Sequence, residues 1–235
     1  MGTRAAFIAE ARKSLGTGET PPGSNRNYIV TWYNKHVDPI GPGAWCDMAV
    51  TMWGALSGNG TTVGEFAYTV WHAEWYHKQG RFAFGTAGIT AGQTVFFDWR
   101  GSRKIDYIDH VGIVERVEGS EIHTIEGNIS GGYCKKVVRD STYIVGYGKN
   151  NFAIAPLKVP SGSPMLIRGS MGTRVEALQK CLNKVLGSKL ATDGNFGILT
   201  TLTLEAFQDK FHLVKDGEYG PKSATAMAKA LAAIK

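Results

Sequence analysis

The sequence predicts an α+β domain followed by a small all-α domain. Three observations carry that reading. Apolar residues recur at helical spacing up to Gly80, and short β-rich runs broken by glycine extend from Thr94 to Gly148. A Pro/Gly/Ser stretch without periodicity follows at 156–164, and helical spacing then returns. Helices first and an antiparallel sheet afterwards make an α+β unit. The expected division is 1–155 for the first domain, 156–164 for a flexible linker, and 165–235 for the second domain.

In chain order, residues 3–15 carry Phe7, Ile8, Ala11 and Leu15 on one helical face. Asn25 can cap a second helix, with Tyr28, Ile29, Trp32, Tyr33 and His36 periodic. A glycine/proline loop, Gly41-Pro42-Gly43, runs into Trp45-Cys46, and Met48, Ala49, Met52, Trp53 and Leu56 begin a third helix at once. A fourth is expected from Thr62 to about Lys78, stopped by Gly80. Thr94–Trp99, His110–Val117, Glu121–Asn128, Cys134–Arg139 and Tyr143–Gly148 read as strands, rich in β-branched and aromatic residues. Their short turns at 118–120 and 130–132 make the strands they join antiparallel neighbours. In the last third, Val175, Leu178, Leu182 and Val185, then Leu204, Phe207 and Phe211, then Ala224, Met227 and Leu231 mark three helices. A repeat lies among them: Leu190-x-x-Asp193-Gly194-Asn195-Phe196-Gly197 returns as Leu213-x-x-Asp216-Gly217-Glu218-Tyr219-Gly220, each copy after a Leu-Gln or Phe-Gln pair. Asp-Gly supplies a tight turn and the aromatic an anchor, so both copies are expected to be structural turns.

Composition narrows the function classes. Hydrophobic content of 43% and charged content of 20% describe a globular chain, and no apolar run approaches the ~20 residues that span a bilayer. Three well-separated cysteines, an odd number, argue against a disulfide scaffold. Of the formal charge of +6, residues 165–235 carry +4 and residues 1–155 only +1. An anionic wall polymer suits that distribution. Nucleic acid is not an expected partner, because no recognition helix or aromatic–basic motif is present and the first domain is near neutral.

Cys46 at a helix start is the candidate nucleophile. Unpaired N–H groups and the helix dipole favour negative charge there, although a small buried core residue would occupy the same position. Two strands supply partners. His110 opens the apolar run Val111-Gly112-Ile113-Val114, and Ile122, Thr124, Glu126 and Asn128 alternate onto one face of the next strand. A hairpin brings the start of one strand opposite the end of the other. His110 can then take the thiol proton while Glu126 or Asn128 accepts the other ring N–H. His36, His72 and His77 read as surface or half-buried residues, His123 faces away from Glu126, and Cys134 and Cys181 read as packing residues. Asp38, Asp98, Asp106 and Asp109 form no Asp-x-Asp-x-Asp-Gly loop.

Trp45-Cys46, Asp109-His110-Val111-Gly112-Ile113-Val114 and Thr124-Ile125-Glu126-Gly127-Asn128 resemble, in order, the three signatures of the CHAP family of papain-like cysteine amidohydrolases and peptidases that cut bacterial peptidoglycan. Gly92-x-x-Val95-Phe96-Phe97 is similar to a further family strand, with Gln93 in place of its usual acidic residue. The resemblance spans roughly 1–152. It implies Cys46 as nucleophile, His110 as base, Glu126 as orienting carboxylate and Asn128 as a further polar member. No cofactor is expected: several CHAP enzymes bind calcium before the cysteine, but the aspartate pattern they use is missing here. Residues 165–235 resemble the three-helix peptidoglycan-binding domain. The order of the two domains is similar to bacteriophage endolysins, which implies a monomer, no membrane insertion, a peptidoglycan partner, and residence in a host cytoplasm until holin pores release it to the wall. The expected activity is amide cleavage as an endopeptidase. An N-acetylmuramoyl-L-alanine amidase of the same mechanism and a non-catalytic wall-binding or virion protein are the alternatives.

Overall fold

The computed structural model describes residues 2–153 and 157–234. The chain splits into two compact units, Met1–Ile154 and Ala155–Lys235.

The first unit begins with three helices, α1 (Arg4–Lys13), α2 (Tyr28–His36) and α3 (Cys46–Leu56). Thr3 caps α1 by accepting from the Ala6 N–H at 3.1 Å. The cap of α2 is Asn27, not Asn25: its Oδ1 accepts from the N–H groups of Ile29 and Val30, while Asn25 turns left-handed at φ 52°. The single helix expected from Thr62 to Lys78 is two pieces, α4 (Gly60–Val63) and α5 (Thr69–Lys78). Gly64 at φ 89° ends the first piece, and the Thr51 hydroxyl satisfies both the N–H and the carbonyl of Phe66 inside the break. Gly80, at φ 65°, follows α5 as expected.

Six strands form one sheet: β1 (Phe82–Phe84), β2 (Thr94–Phe97), β3 (His110–Glu118), β4 (Glu121–Ile129), β5 (Tyr133–Arg139) and β6 (Ile144–Gly148). Their order is β1-β6-β2-β3-β4-β5, with every pairing antiparallel. The three-residue β1 is too short to show a pattern in sequence. Val111, Ile113 and Ile125 join the main core with Trp45, Met48, Ala49 and Trp53 of the α3 region. Val95, Phe97, Val114, Ile122 and Ile144 form a smaller cluster. One glycine sets the approach of the layers. A Cβ on Gly127 would stand 2.9 Å from the Trp45 ring and 3.0 Å from the Ala49 methyl, so the missing side chain lets β4 lie directly against α3 at this point.

The second unit holds α6 (Thr173–Leu186), α7 (Ile198–Lys210) and α8 (Pro221–Ala232) around Val175, Leu178, Leu182, Leu204, Phe207 and Met227. Both repeated turns work the same way. Gln179 donates to Asp193, to the Asn195 carbonyl and to Thr200, and accepts from the Gly194 N–H at 3.0 Å. Gln208 donates to Asp216, to the Glu218 carbonyl and to Ser223, and accepts from the Gly217 N–H at 2.9 Å. The aromatics Phe196 and Tyr219 are fully buried. Residues 157–164, read as linker, lie against this bundle: Leu157 and Val159 pack on its core, Tyr219 donates to the Pro160 carbonyl, and Arg174 donates to the Ser161 and Pro164 carbonyls. Pro156 and the expected boundary at 155 lie outside the described residues.

Candidate active site

Cys46 is the first residue of α3, preceded by Trp45, which is fully buried and donates its indole N–H to Glu19 at 3.1 Å. No side chain caps this helix. Its first-turn N–H groups are therefore not occupied by a cap and can serve an anion. His110 opens β3, where its ring reaches the Cys46 sulfur on one side and Glu126 of β4 on the other. Its Nε2 lies 2.9 Å from Glu126 Oε2, which leaves Nδ1 for the thiol.

The register explains the placement. Ile113 pairs with Ile125, and Glu126 follows on the alternate face. Gly112 makes room for it: a Cβ there would fall 2.6 Å from Glu126 Cγ. Asn128 does not share this arrangement. A bulge between Glu126 and Ile129 breaks the alternation, Asn128 adopts φ 56°, and among the described contacts it makes no hydrogen bond to His110. Of the two acceptors open to His110 in the sequence, the fold therefore brings up Glu126.

Glu126 is fully buried and held by three other bonds. Thr124 donates to Oε1 at 2.5 Å, and Arg139, at the end of β5, forks onto both oxygens at 2.9 and 2.7 Å. The guanidinium also lies 4.8 Å over the Trp99 ring, and Trp99 in turn lies 5.5 Å from the His110 ring. Burial alone would raise the Glu126 pKa; Arg139, His110 and Thr124 outweigh it and bring it from 4.5 down to about 2. Burial pushes His110 down, but Cys46 and Glu126 push harder and leave it raised from 6.5 to about 9. The ring is thus an imidazolium at neutral pH, flanked by a carboxylate and a sulfur. That arrangement can supply a nucleophile, a proton donor and a fixed ring orientation.

Arg139 is the site residue that sequence reading missed; no local signal marks it, because the pairing of β4 with β5 brings it to Glu126. His72 was also misread. It is fully buried, with Nδ1 at 2.6 Å from Asp47 Oδ1. His77 is exposed, as expected. Burial pushes the Cys134 thiol up to about 12 and Cys181 to about 11, in line with packing roles. Among the described residues, the group close enough to share a metal ion is Glu118, Glu121 and His123 at the β3–β4 turn, not the aspartates considered above.

Residues 37–128 match the CHAP domain family, and residues 171–227 match the family described as "Putative peptidoglycan binding domain". None of the curated proteins compared with the chain matches it. Among solved structures, the SleB N-terminal domain is 34% identical over 30% of this chain and 97% of its own, with a TM-score of 0.29. A peptidoglycan-binding protein from Clostridioides difficile, in complex with glutamine hydroxamate, is 21% identical over 52% of this chain and 59% of its own, with a TM-score of 0.27. Ly7917 is 20% identical over 62% of this chain and 61% of its own, with a TM-score of 0.33. The chain thus spans about three fifths of the latter two. It carries a CHAP domain, of the cysteine amidohydrolase family that cleaves peptidoglycan, followed by a member of the peptidoglycan-binding domain family.

Proposed function

We propose that the protein is a peptidoglycan endopeptidase in which Cys46 is the nucleophile, His110 the proton carrier and Glu126, braced by Arg139, the orienting carboxylate. The observation that carries the reading is the continuous Cys46–His110–Glu126–Arg139 chain at a helix start with no side-chain cap. The Cys46 sulfur attacks the carbonyl carbon, and the new oxyanion takes hydrogen bonds from first-turn N–H groups of α3, that of Cys46 first. Collapse breaks the C–N bond as His110 protonates the departing amine, leaving a thioester. Water, deprotonated by His110, then attacks the thioester; the C–S bond breaks, the carboxylate product leaves, and the sulfur is restored as a thiolate beside the protonated His110. The second unit acts as the anchor that holds the catalytic unit at the wall, with its positive balance assisting on anionic polymers. In this reading the protein serves as a monomeric endolysin, released from the host cytoplasm to the wall; the order of catalytic and wall-binding domains supports that role.

Mass spectrometry of purified sacculi after digestion tests both activity and bond. New amino termini inside the stem or cross-bridge identify an endopeptidase. Stem peptides freed at their first alanine identify the muramoyl–alanine amidase instead. Sacculi untouched by the wild type, with Cys46→Ala as control, overturn the enzyme reading.

A further inference from the structure

Beside the nucleophile stands a second histidine–carboxylate pair that the steps above do not use. Asp47 follows Cys46 in the first turn of α3, and it and His72 of α5 are both fully buried. His72 Nδ1 is 2.6 Å from Asp47 Oδ1, and Nε2 is 2.7 Å from the Val63 carbonyl oxygen. A carbonyl only accepts, so Nε2 carries a hydrogen. The Nδ1···Oδ1 line then holds one further proton, and whichever atom carries it the pair is neutral as a whole. The ring is fixed between Phe66 and Tyr76, stacked at 4.6 and 5.1 Å. Asp47 Oδ2 is buried and has no hydrogen-bond partner, so His72 is the group that compensates this carboxylate.

The surroundings offer no substitute. Tyr33 of α2 faces Asp47, and burial, with Asp47, Asp38 and Glu65 adding to it, pushes its hydroxyl up to about 12, so it brings no charge. Tyr76 of α5 spends its hydroxyl on Asn150, Thr94 and the Val63 carbonyl. Arg81 is one ring further away, 4.8 Å over Tyr76 and 4.5 Å over Trp75. On the far side of Cys46 stand His110 and Glu126, already paired with each other. An uncompensated carboxylate on the residue next to the nucleophile, at an effective dielectric of about 20, disfavours an anion on the sulfur by about tenfold or more.

We propose that His72 is a positioning and charge-compensating residue for the reaction: by pairing with Asp47 and tying it to Val63, it removes a negative charge from the nucleophile's own helix turn and holds that turn in place. The proposal rests on Cys46 as the nucleophile, but its test needs no wall, so the two can fail separately. The full chain is treated with iodoacetamide at neutral pH, and alkylation is read at Cys46 by mass spectrometry, apart from buried Cys134 and Cys181. His72→Gln should slow Cys46 alkylation by about tenfold or more. Adding Asp47→Asn in the same chain should restore it to within about threefold, which a loss of packing could not do. Asp47→Asn alone should react at or above the wild-type rate. A His72→Gln protein as reactive as wild type overturns the proposal, and so does a double variant that stays slow. If His72→Gln does not fold, Asp47→Asn decides: a folded single variant slower than wild type refutes compensation, and one as fast or faster supports it.

Discussion

Arg139→Ala removes the cation behind the orienting carboxylate, and its cost can be worked from the site. Glu126 is fully buried, and Arg139 contacts both its oxygens, at 2.9 and 2.7 Å, with its own side chain only 21% exposed. Burial pushes the Glu126 pKa up; Arg139 leads the contacts that bring it instead from 4.5 to about 2. One unit corresponds to ~1.4 kcal/mol, so the depression amounts to roughly 3 kcal/mol, shared among Arg139, His110 and Thr124. Removing one partner of a buried pair costs about 3–5 kcal/mol by itself. His110 and Thr124 remain on Glu126 and Arg139 is itself partly exposed, so a destabilisation of about 2–4 kcal/mol at neutral pH is the expected outcome. The sign of its pH dependence follows from linkage. A depressed carboxylate contributes stability above its ordinary value of 4.5, and that contribution is lost as pH falls through about 2. The gap between wild type and variant should therefore be widest at neutral pH and close as acid is added. Urea unfolding of both proteins at several pH values measures it. Arg139→Met keeps an apolar stem over Phe97 and Trp99 without the charge, and should behave like Arg139→Ala. Arg139→Lys should recover only part, since a point charge cannot fork onto two oxygens. Turnover on sacculi should fall by about 10- to 100-fold in the alanine variant, because Glu126 no longer holds His110 in a single orientation. A stability gap independent of pH, or one that Arg139→Met abolishes, would show that Arg139 acts through packing and refute the reasoning.

Three further outcomes are expected. The raised pKa of His110 contributes stability fully present below its ordinary 6.5 and lost as pH rises through about 9; the urea midpoint of the wild type should fall across that window more than that of His110→Ala. Gly112→Ala places a methyl 2.6 Å from Glu126 Cγ and 2.9 Å from the Ile125 carbonyl oxygen. It should cost about 1–3 kcal/mol in thermal unfolding and lower turnover, with wall cosedimentation unchanged. Gln208→Ala strips the second repeated turn of its bonds to Asp216, Gly217, Glu218 and Ser223; it should destabilise the second unit by about 2–3 kcal/mol and weaken cosedimentation with sacculi while leaving Cys46 alkylation at the wild-type rate.

What the sequence disclosed and what it withheld divide along a physical line. The β3–β4 hairpin was legible because two residues of turn and a period of two leave few registers, and it brings His110 to the end of β4 that carries Glu126 and Asn128, with the choice between them left to the fold. The bulge at Asn128 was not, since a positive φ on one asparagine leaves no trace in an alternating pattern. Gly64 splits the expected long helix for a similar reason: Val63, Phe66, Val70 and Trp75 keep helical spacing across the break, and the hydroxyl of Thr51, 15 residues away, pays for it in hydrogen bonds.

The pairing of Cys46 with His110 crosses 64 positions, yet it was readable, because few side chains can take a proton from a thiol near neutral pH and the chain has six histidines. Arg139 had no such scarcity to reveal it. Residues 1–155 hold 15 lysines and arginines, each able in principle to face Glu126, and the choice is made by a strand pairing that sets Ile122 against Arg139. Asp47 and His72 were hidden more deeply. They lie 25 residues apart on different helices, and nothing local distinguishes a histidine stacked between Phe66 and Tyr76 from one in solvent. Residues that perform a rare chemical task can thus be picked out by type, while those that support them by charge become visible only when the fold shows which burial they answer to. The proposed pair of Cys46 and His110 belongs to the first kind, and Arg139 and His72, in the roles proposed for them, to the second.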